Sequence, residues 1–236
     1  MKLSRLLSPP PFRARHYKRT FVSSPDDEAS QPTRDLIELA LAVVRRTLDV
    51  DVRDVCQRLK PADWQPDLWP GEHYRLLAGL VAELHPRTIV EIGTETGLSA
   101  LCLRKYLPAE GTVTTFDLVP WDQFTNTCFK PEDFADGRLK QELADLADPD
   151  RFREHAPLLK QADFIFADGP KDGKFEPAFA ALLDTVRFER PPVVLFDDIR
   201  DHHMLGFWRD LPKPKLDLSS FGHWTGTGLV RWTPPD

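Results

Sequence analysis

Acidic side chains stand directly after two short apolar runs of the sequence. Asp168 follows Phe164-Ile-Phe-Ala, and the pair Asp197 and Asp198 follows Val-Val-Leu-Phe. If these runs are neighbouring parallel strands, the three carboxylates converge at one edge of the sheet, where like charges repel each other. A cation must offset that repulsion, and three oxygen ligands with open positions suit Mg²⁺. The sequence therefore predicts a divalent-metal site, with simple turn formation as the structural alternative.

A glycine-containing turn follows another apolar run and precedes a helical segment. It reads Glu91-Ile-Gly93-Thr94-Glu-Thr-Gly97-Leu-Ser99. Gly93 permits a sharp turn at the end of a strand, and Gly97 permits close approach of the backbone to a ligand. The spacing differs from the Gly-x-Gly-x-x-Gly of dinucleotide folds, which disfavours a dinucleotide oxidoreductase. We therefore expect another nucleotide-like ligand at this edge of the sheet.

Short apolar strands alternate with helical segments through most of the chain, which predicts a doubly wound α/β sheet with helices on both faces. The predicted strands are Thr88–Gly93, Thr112–Leu118, Leu139–Leu146, Ala162–Asp168 and Pro192–Ile199. The predicted helices in this part of the chain are Leu98–Tyr106, Phe175–Phe188 and His202–Leu211. Two more strands, Lys215–Phe221 and Thr227–Trp232, indicate an antiparallel hairpin at one edge of the sheet.

The chain divides by composition into three parts. Residues 1–32 form a basic, Pro-rich arm and linker, residues 33–70 an N-terminal helical segment, and residues 71–236 the α/β domain. Apolar residues at the helical period predict one helix that Thr33 caps and a second helix over Glu72–Leu84.

Charge is distributed unevenly over the 236 residues. The whole chain carries 31 basic and 37 acidic side chains, a net charge of −6. Residues 1–21 contain no acid and carry +6, from Lys2, Arg5, Arg13, Arg15, Lys18 and Arg19. Such an arm is compatible with organelle import, with a mobile segment, with packing on an acidic sister subunit in a homo-oligomer, or with contact to nucleic acid or membrane.

Composition excludes several classes of protein. The hydrophobic fraction of 41% is that of a globular chain, and no apolar run approaches the length of about 18 residues that a membrane-spanning helix needs. The cysteines Cys56, Cys102 and Cys128 are too few and too scattered for a disulfide framework or a zinc cluster. We expect a cytoplasmic protein that neither spans nor binds a membrane.

The turn from Glu91 to Ser99 resembles the first motif of class I S-adenosylmethionine-dependent methyltransferases, and in particular the catechol O-methyltransferase-like group. The segments Asp168-x-x-Lys171-Asp172 and Asp197-Asp198 are similar to the metal site of the same group. The resemblance covers roughly residues 72–232 and implies a Rossmann-like, mostly parallel seven-stranded sheet. It also implies S-adenosylmethionine and Mg²⁺ as cofactors.

The resemblance assigns roles to individual residues. The loop with Glu91, Gly93, Thr94, Gly97 and Ser99 would wrap the methionine part of the cofactor. Asp117, at the end of the second strand, would bind the ribose hydroxyls. Asp145 would lie near the adenine or would cap a turn, and Asp168 would contact both cofactor and metal. The metal ligands would be Asp168, Asp197 and Asp198.

The general base is assigned to a side chain beside the metal. The resemblance points to Lys171, which can accept a proton if its pKa is depressed. His202 and His203 compete with it, although such a pair is also typical of the start of a helix. Asp198 stands where the catechol enzymes typically have asparagine, and this added negative charge would alter the metal preference.

Two further segments carry aromatic and histidine side chains. Trp69-Pro-Gly-Glu72-His73-Tyr74 corresponds to a region that caps the cofactor in similar enzymes, or is a loop packed on the core. Phe221-Gly-His223-Trp224 would line a pocket or form a hairpin turn.

The favoured function is metal-assisted O-methylation of a small polyhydroxylated or aromatic molecule. Two alternatives stay open. One is a nucleic-acid methyltransferase that uses the basic arm, which the acidic body and site disfavour because they repel phosphates. The other is a non-catalytic protein that only binds the cofactor.

Overall fold

Seven strands and seven helices make up the part of the chain that the computed structural model describes, residues 29–60 and 65–233. The basic arm, most of the linker and the proline break at Pro61 lie outside the described residues. The strands are β1 (Thr88–Ile92), β2 (Thr112–Asp117), β3 (Leu139–Leu143), β4 (Phe164–Ala167), β5 (Val193–Asp197), β6 (Lys215–Asp217) and β7 (Thr227–Arg231).

Most helices connect successive strands. They are α1 (Arg34–Arg46), α2 (Arg53–Cys56), α3 (Tyr74–Leu84), α4 (Leu98–Lys105), α5 (Pro149–Lys160), α6 (Phe175–Leu183) and α7 (Met204–Asp210). Short 3₁₀ turns stand at Trp121–Gln123, Pro131–Phe134 and Ser219–Phe221. None of the described helices is both long and apolar enough to cross a bilayer.

The strands form one seven-stranded sheet in the order β3-β2-β1-β4-β5-β7-β6. Neighbours from β3 to β5 run parallel, whereas β7 lies antiparallel between β5 and β6. The strand order reverses between β1 and β4, and this switch opens a crevice at the carboxyl ends of the strands. The predicted doubly wound sheet with an antiparallel C-terminal hairpin is confirmed.

Alternating residues of the strands supply two separate cores, one on each face of the sheet. Ile89 on β1 packs with α1, α2, α3 and α4, while Val90 and Ile92 pack with α5, α6 and α7. Strands buried on both faces must be apolar throughout, which is why the sequence shows continuous apolar runs instead of alternation. Glu91 is the exception, because it lies on the α3 face and is fully buried.

The structure corrects three sequence-based boundaries. Residues 149–160, which we assigned to no element, form α5. Pro149 occupies the first helical turn, where its missing N–H is not needed, and Asp148 caps the helix by accepting hydrogen bonds from the N–H groups of Asp150 and Arg151. Helix α6 ends at Leu183, well before the predicted Phe188, and the Thr33 side chain makes no capping hydrogen bond to α1.

Candidate active site

The turn after β1 is built against the end of β4. Gly93 has a φ of +94°, and a Cβ at this position would lie 2.1 Å from the carbonyl oxygen of Asp168. The N–H of Asp168 in turn donates to the carbonyl of Ile92. Glycine is therefore required for both the backbone conformation and the close approach. This contact places the predicted cofactor loop, residues 91–99 (the donor loop), beside the predicted metal site.

Asp117 at the end of β2 holds the same turn. Its Oδ2 accepts hydrogen bonds from the N–H groups of Thr94 and Glu95, at 3.0 and 3.1 Å. Its Oδ1 accepts from Leu118 and Val119, at 2.7 and 3.1 Å. A carboxylate offers about four acceptor sites, so backbone N–H groups already engage all those of Asp117.

A cavity of about 730 Å³ opens at the carboxyl ends of the strands. Asp145 borders it after β3 and also accepts a hydrogen bond from the N–H of Ala147, so its two predicted positions are compatible. Six of the residues predicted for the site border this cavity: Gly93, Asp117, Asp145, Asp168, Lys171 and Asp198. Both predicted halves of the site thus face one space.

Four residues predicted to bind the cofactor do not border the cavity: Glu91, Thr94, Gly97 and Ser99. The Thr94 hydroxyl is buried and lies 2.8 Å from that of Thr115. The ring of Phe129 fills the space beside Gly97, since a Cβ at this position would lie 2.4 Å from that ring. Gly97 therefore allows a phenylalanine ring, and not a ligand, to approach the backbone.

Glu91 is a fully buried acid of this region. Burial raises its pKa to about 7, although nearby Ser99 and Thr115 hydroxyls oppose the shift. Neither carboxylate oxygen has a well-formed hydrogen bond among the described residues. The charged form of Glu91 is therefore destabilised in the folded protein.

The three predicted metal ligands do converge. Oxygen atoms of Asp168, Asp197 and Asp198 lie within 4.8 Å of one another at the ends of β4 and β5. Asp198 adopts a left-handed backbone conformation with a φ of 57°, and its Oδ1 accepts a hydrogen bond from the Thr225 hydroxyl. The turn after β5 thereby directs two consecutive carboxylates to the same side, which an extended strand would not do.

Lys171 reaches into this cluster from the loop after β4. Its Nζ lies 3.1 Å from Asp168 Oδ1 and 3.5 Å from Glu176 Oε1. Burial lowers the pKa of Lys171, but the carboxylates of Asp168, Asp197 and Glu176 raise it above its ordinary value. A general base requires a depressed pKa. Lys171 therefore does not fulfil this requirement while the charges of these carboxylates are uncompensated. Neighbouring Asp172 is exposed and caps α6 by accepting from the N–H groups of Lys174 and Phe175.

The aspartates themselves titrate differently. Burial raises the pKa of Asp168 to about 6, and the charge of Asp197 adds to that effect. Burial also raises the pKa of Asp197, but His73, His223 and Lys171 outweigh it and hold the pKa well below its usual range. Of Asp168 and Asp197, Asp197 is therefore the carboxylate whose charged form the site stabilises.

His73 and His223 belong to the site, although the sequence did not identify them as ligands or bases. His73 precedes α3, and its Nδ1 lies 3.5 Å from Asp197 Oδ1. His223 precedes β7, and its Nδ1 lies 3.5 Å from Asp197 Oδ2. The two aromatic segments that carry them were recognisable, but no fixed spacing connects either segment to Asp197. Burial lowers the pKa of both imidazoles, yet the surrounding carboxylates raise it above the ordinary value, to about 10 for His223.

His202 does not join the site. It is exposed in the turn before α7 and neither borders the cavity nor belongs to the acidic cluster. The Asp201 carboxylate accepts from the N–H of His203 and closes this turn, and the rings of His202 and His203 contact each other. The competing prediction, polar residues at the start of a helix, describes this pair.

Aromatic side chains lie on the two segments that carry His73 and His223. The rings of Trp69 and Phe221 lie 6.3 Å apart, and the ring of Trp224 lies 5.8 Å from that of His223. Trp224 is 75% exposed, although it is large and apolar.

Solved structures share this architecture. The SAH-bound methyltransferase PaMTH1 of Podospora anserina is 17% identical, with 93% of each chain covered and a TM-score of 0.53. A proposed O-methyltransferase from Klebsiella pneumoniae is 18% identical over 82% of this chain and 90% of its own, with a TM-score of 0.50. A methyltransferase from Geobacter sulfurreducens is 14% identical over 81% and 90%, also with a TM-score of 0.50.

Sequence comparison adds nothing to these structural similarities. No protein-family model and no curated protein matches the chain. At such low identity, the similarity defines the fold. The described residues have the Rossmann-like fold of class I methyltransferases, as the observed strand order and the similar structures show. The resemblance of the glycine turn predicts the same fold.

Proposed function

We propose that this chain transfers a methyl group from S-adenosylmethionine to a hydroxyl oxygen of a small molecule, with the assistance of a divalent cation. One observation carries the proposal. The turn at Gly93 and the cluster of Asp168, Lys171 and Asp198 border the same cavity of about 730 Å³. A volume of this size suits a small-molecule ligand. A donor bound along the turn would therefore have its reactive end beside the carboxylates.

The donor side of the cavity combines apolar walls with acids at strand ends. Phe116, Leu146 and Phe124 border it together with Asp117 and Asp145. This is the chemistry that a nucleoside needs, an apolar slot with a few polar groups for orientation. Because four backbone N–H groups engage Asp117, ribose hydroxyls would have to replace some of those contacts.

The carboxylate cluster fits a divalent cation. Asp197 Oδ1 is buried and has no hydrogen-bond partner among the described residues, and three carboxylates lie together. Asp168, Asp197 and Asp198 would hold the ion. When bound, such an ion orients an acceptor hydroxyl and acidifies it as a Lewis acid. Three carboxylates by themselves are a donor set that Mg²⁺ accepts.

The residues around the cluster would orient the acceptor. Trp224, Trp69 and Phe221 offer aromatic faces to a flat or ring-shaped molecule. In the reaction, the acceptor oxygen forms a bond to the methyl carbon, the carbon–sulfur bond of the donor breaks, and the hydroxyl proton leaves. Lys171 would receive that proton if a bound ion offsets the carboxylates that raise its pKa.

Two of the similar structures support this choice of chemistry. PaMTH1 binds SAH, the product form of the donor, and the Klebsiella protein is a proposed O-methyltransferase. The acidic cluster at the cavity favours a small acceptor over nucleic acid, because three carboxylates would repel the phosphate backbone.

Thermal unfolding tests the donor site directly. We expect SAH to raise the melting temperature of the full chain, whereas NAD leaves it unchanged. A ligand at about 100 times its Kd adds roughly 2.7 kcal/mol to the free energy of unfolding. Methyl transfer is then followed as SAH released from S-adenosylmethionine in a screen of polyhydroxylated and aromatic acceptors, with and without EDTA.

Each part of the proposal can fail separately. No thermal shift with SAH would refute donor binding. A shift with SAH, but no SAH release with any acceptor, would favour a protein that only binds the cofactor. Transfer that proceeds equally well in EDTA would remove the cation from the reaction.

A further inference from the structure

His73 is a buried histidine whose ring faces Asp197. Its side chain is only 5% exposed, and neither ring nitrogen has a hydrogen-bond partner among the described residues. The facing Asp197 Oδ1, 3.5 Å from His73 Nδ1, also lacks one. The two groups form an ion pair at this distance but no hydrogen bond, and such incomplete pairing of buried polar groups is unfavourable unless a ligand joins them. These two atoms point to a missing shared partner.

His223 approaches the other oxygen of the same carboxylate. Its Nδ1 lies 3.5 Å from Asp197 Oδ2 and 3.3 Å from Asp198 Oδ1, and it also contacts the Thr225 hydroxyl at 2.7 Å. On the far side of the ring, Nε2 lies 3.4 Å from Glu72 Oε2. A carboxylate behind the second nitrogen is the arrangement that orients histidine ligands of metals. Glu72 thereby directs Nδ1 toward the cluster.

The separations between these atoms fit metal ligands. Two donors that are each about 2.1 Å from one ion lie roughly 3.4 Å apart at a tetrahedral angle. His73 Nδ1 lies 3.5 Å from Asp197 Oδ1, and His223 Nδ1 lies 3.5 Å from Asp197 Oδ2, so the carboxylate offers one oxygen to each histidine. One donor atom from each of His73, Asp197 and His223 lies within 4.8 Å of the others. Small side-chain movements would complete the coordination.

The histidines change which ion the site should prefer. Mg²⁺ accepts oxygen ligands, whereas imidazole nitrogen favours first-row transition ions such as Co²⁺ and Zn²⁺. We infer that His73, Asp197 and His223 form a mixed nitrogen and oxygen centre, next to Asp168 and Asp198, that binds a first-row transition ion in preference to Mg²⁺. The role of that ion in catalysis rests on the proposed methyl transfer, but its binding does not.

Metal binding by the full chain, stripped with EDTA and without donor, tests the inference. We expect isothermal titration to show one Co²⁺ per chain, bound at least about tenfold more tightly than Mg²⁺. Bound Co²⁺ should also show visible absorption bands that differ from those of the aqueous ion. Zn²⁺ should displace Co²⁺ and abolish these bands.

Matched histidine variants distinguish the ligands from the rest of the surface. His223→Gln should weaken Co²⁺ binding at least about tenfold, because replacing even residues that orient a ligand weakens metal binding by that factor. His202→Gln, a histidine outside the cluster, should leave it unchanged. His223 stands in a loop and is partly exposed, so its variant should fold; circular dichroism checks this. His73→Gln provides the second ligand variant where it folds.

Several outcomes would overturn the inference. Mg²⁺ binding as tight as that of Co²⁺, an unchanged affinity in folded His223→Gln, or no stoichiometric binding would each mean that the histidines act only as cationic partners of the aspartates. SAH melting curves on the same samples separate this result from the proposed function. An SAH shift without metal preference refutes only the inference, and Co²⁺ binding without an SAH shift refutes only the donor site.

Discussion

Three buried or half-buried acids of this site are stabilised in different ways. Asp117 is surrounded by four backbone N–H groups. Asp197 relies on the charges of His73, His223 and Lys171. Glu91 has neither, and burial raises its pKa to about 7. The surroundings of Asp197 and Glu91 therefore shift their pKa values in opposite directions, downward for Asp197 and upward for Glu91.

Glu91 should make the stability of the protein depend on pH. Its folded pKa of about 7 lies above the ordinary value of 4.5, so the folded state binds more protons between these values. The contribution of the protonated group is full below pH 4.5 and decreases by about 3 kcal/mol as the pH rises to 7. Between pH 5 and pH 8, the free energy of unfolding of Glu91→Gln should therefore increase by about this much relative to that of the wild type.

Urea unfolding of the EDTA-treated protein at the two pH values measures this difference. Glu110→Gln, an exposed glutamate, serves as the matched control and should follow the wild type at both. Parallel behaviour of Glu91→Gln and the wild type would mean that Glu91 is not the group responsible.

At the scale of elements, the turn between β1 and α4 depends on its neighbours. The end of β4 approaches Gly93, and the end of β2 provides Asp117 as the acceptor for its N–H groups. The turn that faces the cavity is consequently shaped by three strands of the sheet. A change at Gly93 should affect the donor loop and the metal cluster together.

Gly93→Ala should lower the free energy of unfolding by at least about 3 kcal/mol, because backbone strain adds to a clash with the Asp168 carbonyl. Gly137→Ala is the control, since Gly137 has a φ of +71° but no atom within 4 Å of the added Cβ. It should lower the free energy of unfolding by about 1–2 kcal/mol, from strain alone. Chemical denaturation and SAH melting curves check both variants; equal losses would refute the role of the contact.

At the scale of the whole molecule, the N-terminal helices belong to the core of the sheet. Leu36 and Val43 of α1 and Val55 of α2 are buried in the same cluster as α3 and α4. This cluster covers one complete face of the sheet. We therefore propose that the described residues 33–60 and 65–233 fold as one unit, in which the predicted N-terminal helical segment and the predicted α/β domain share a core.

Two truncations test this unit. If the described residues suffice for this unit, removal of residues 1–28 should leave the melting temperature and the SAH shift unchanged; among the described residues, the first buried apolar side chain is Leu36. Removal of residues 1–60 would delete eight buried apolar side chains, Leu36, Ala40, Val43, Val50, Val52, Val55, Cys56 and Leu59, and would expose the apolar residues of α3 and α4 that share their cluster. That loss exceeds the net stability of about 5–15 kcal/mol, so the shorter chain should not unfold cooperatively. Cooperative thermal unfolding of the shorter chain, followed by circular dichroism, would show an independent C-terminal domain.

The sequence by itself determined the central strands and the carboxyl-terminal edge at which Asp168, Asp197 and Asp198 meet. This was possible because strands buried on both faces must be apolar, and because parallel strands end on the same side. The apolar run of a buried strand is visible in a few consecutive residues. The common edge of parallel strands follows from the direction of the strands alone.

Only the tertiary structure decided which other side chains reach that edge. His73 and His223 are 150 residues apart in the sequence and approach Asp197 from α3 and from the loop before β7. That approach depends on the insertion of β7 beside β5 and on the packing of α3 over the sheet. His202, much closer to Asp197 in the sequence, turns away, because contacts between distant segments follow packing and not spacing along the chain.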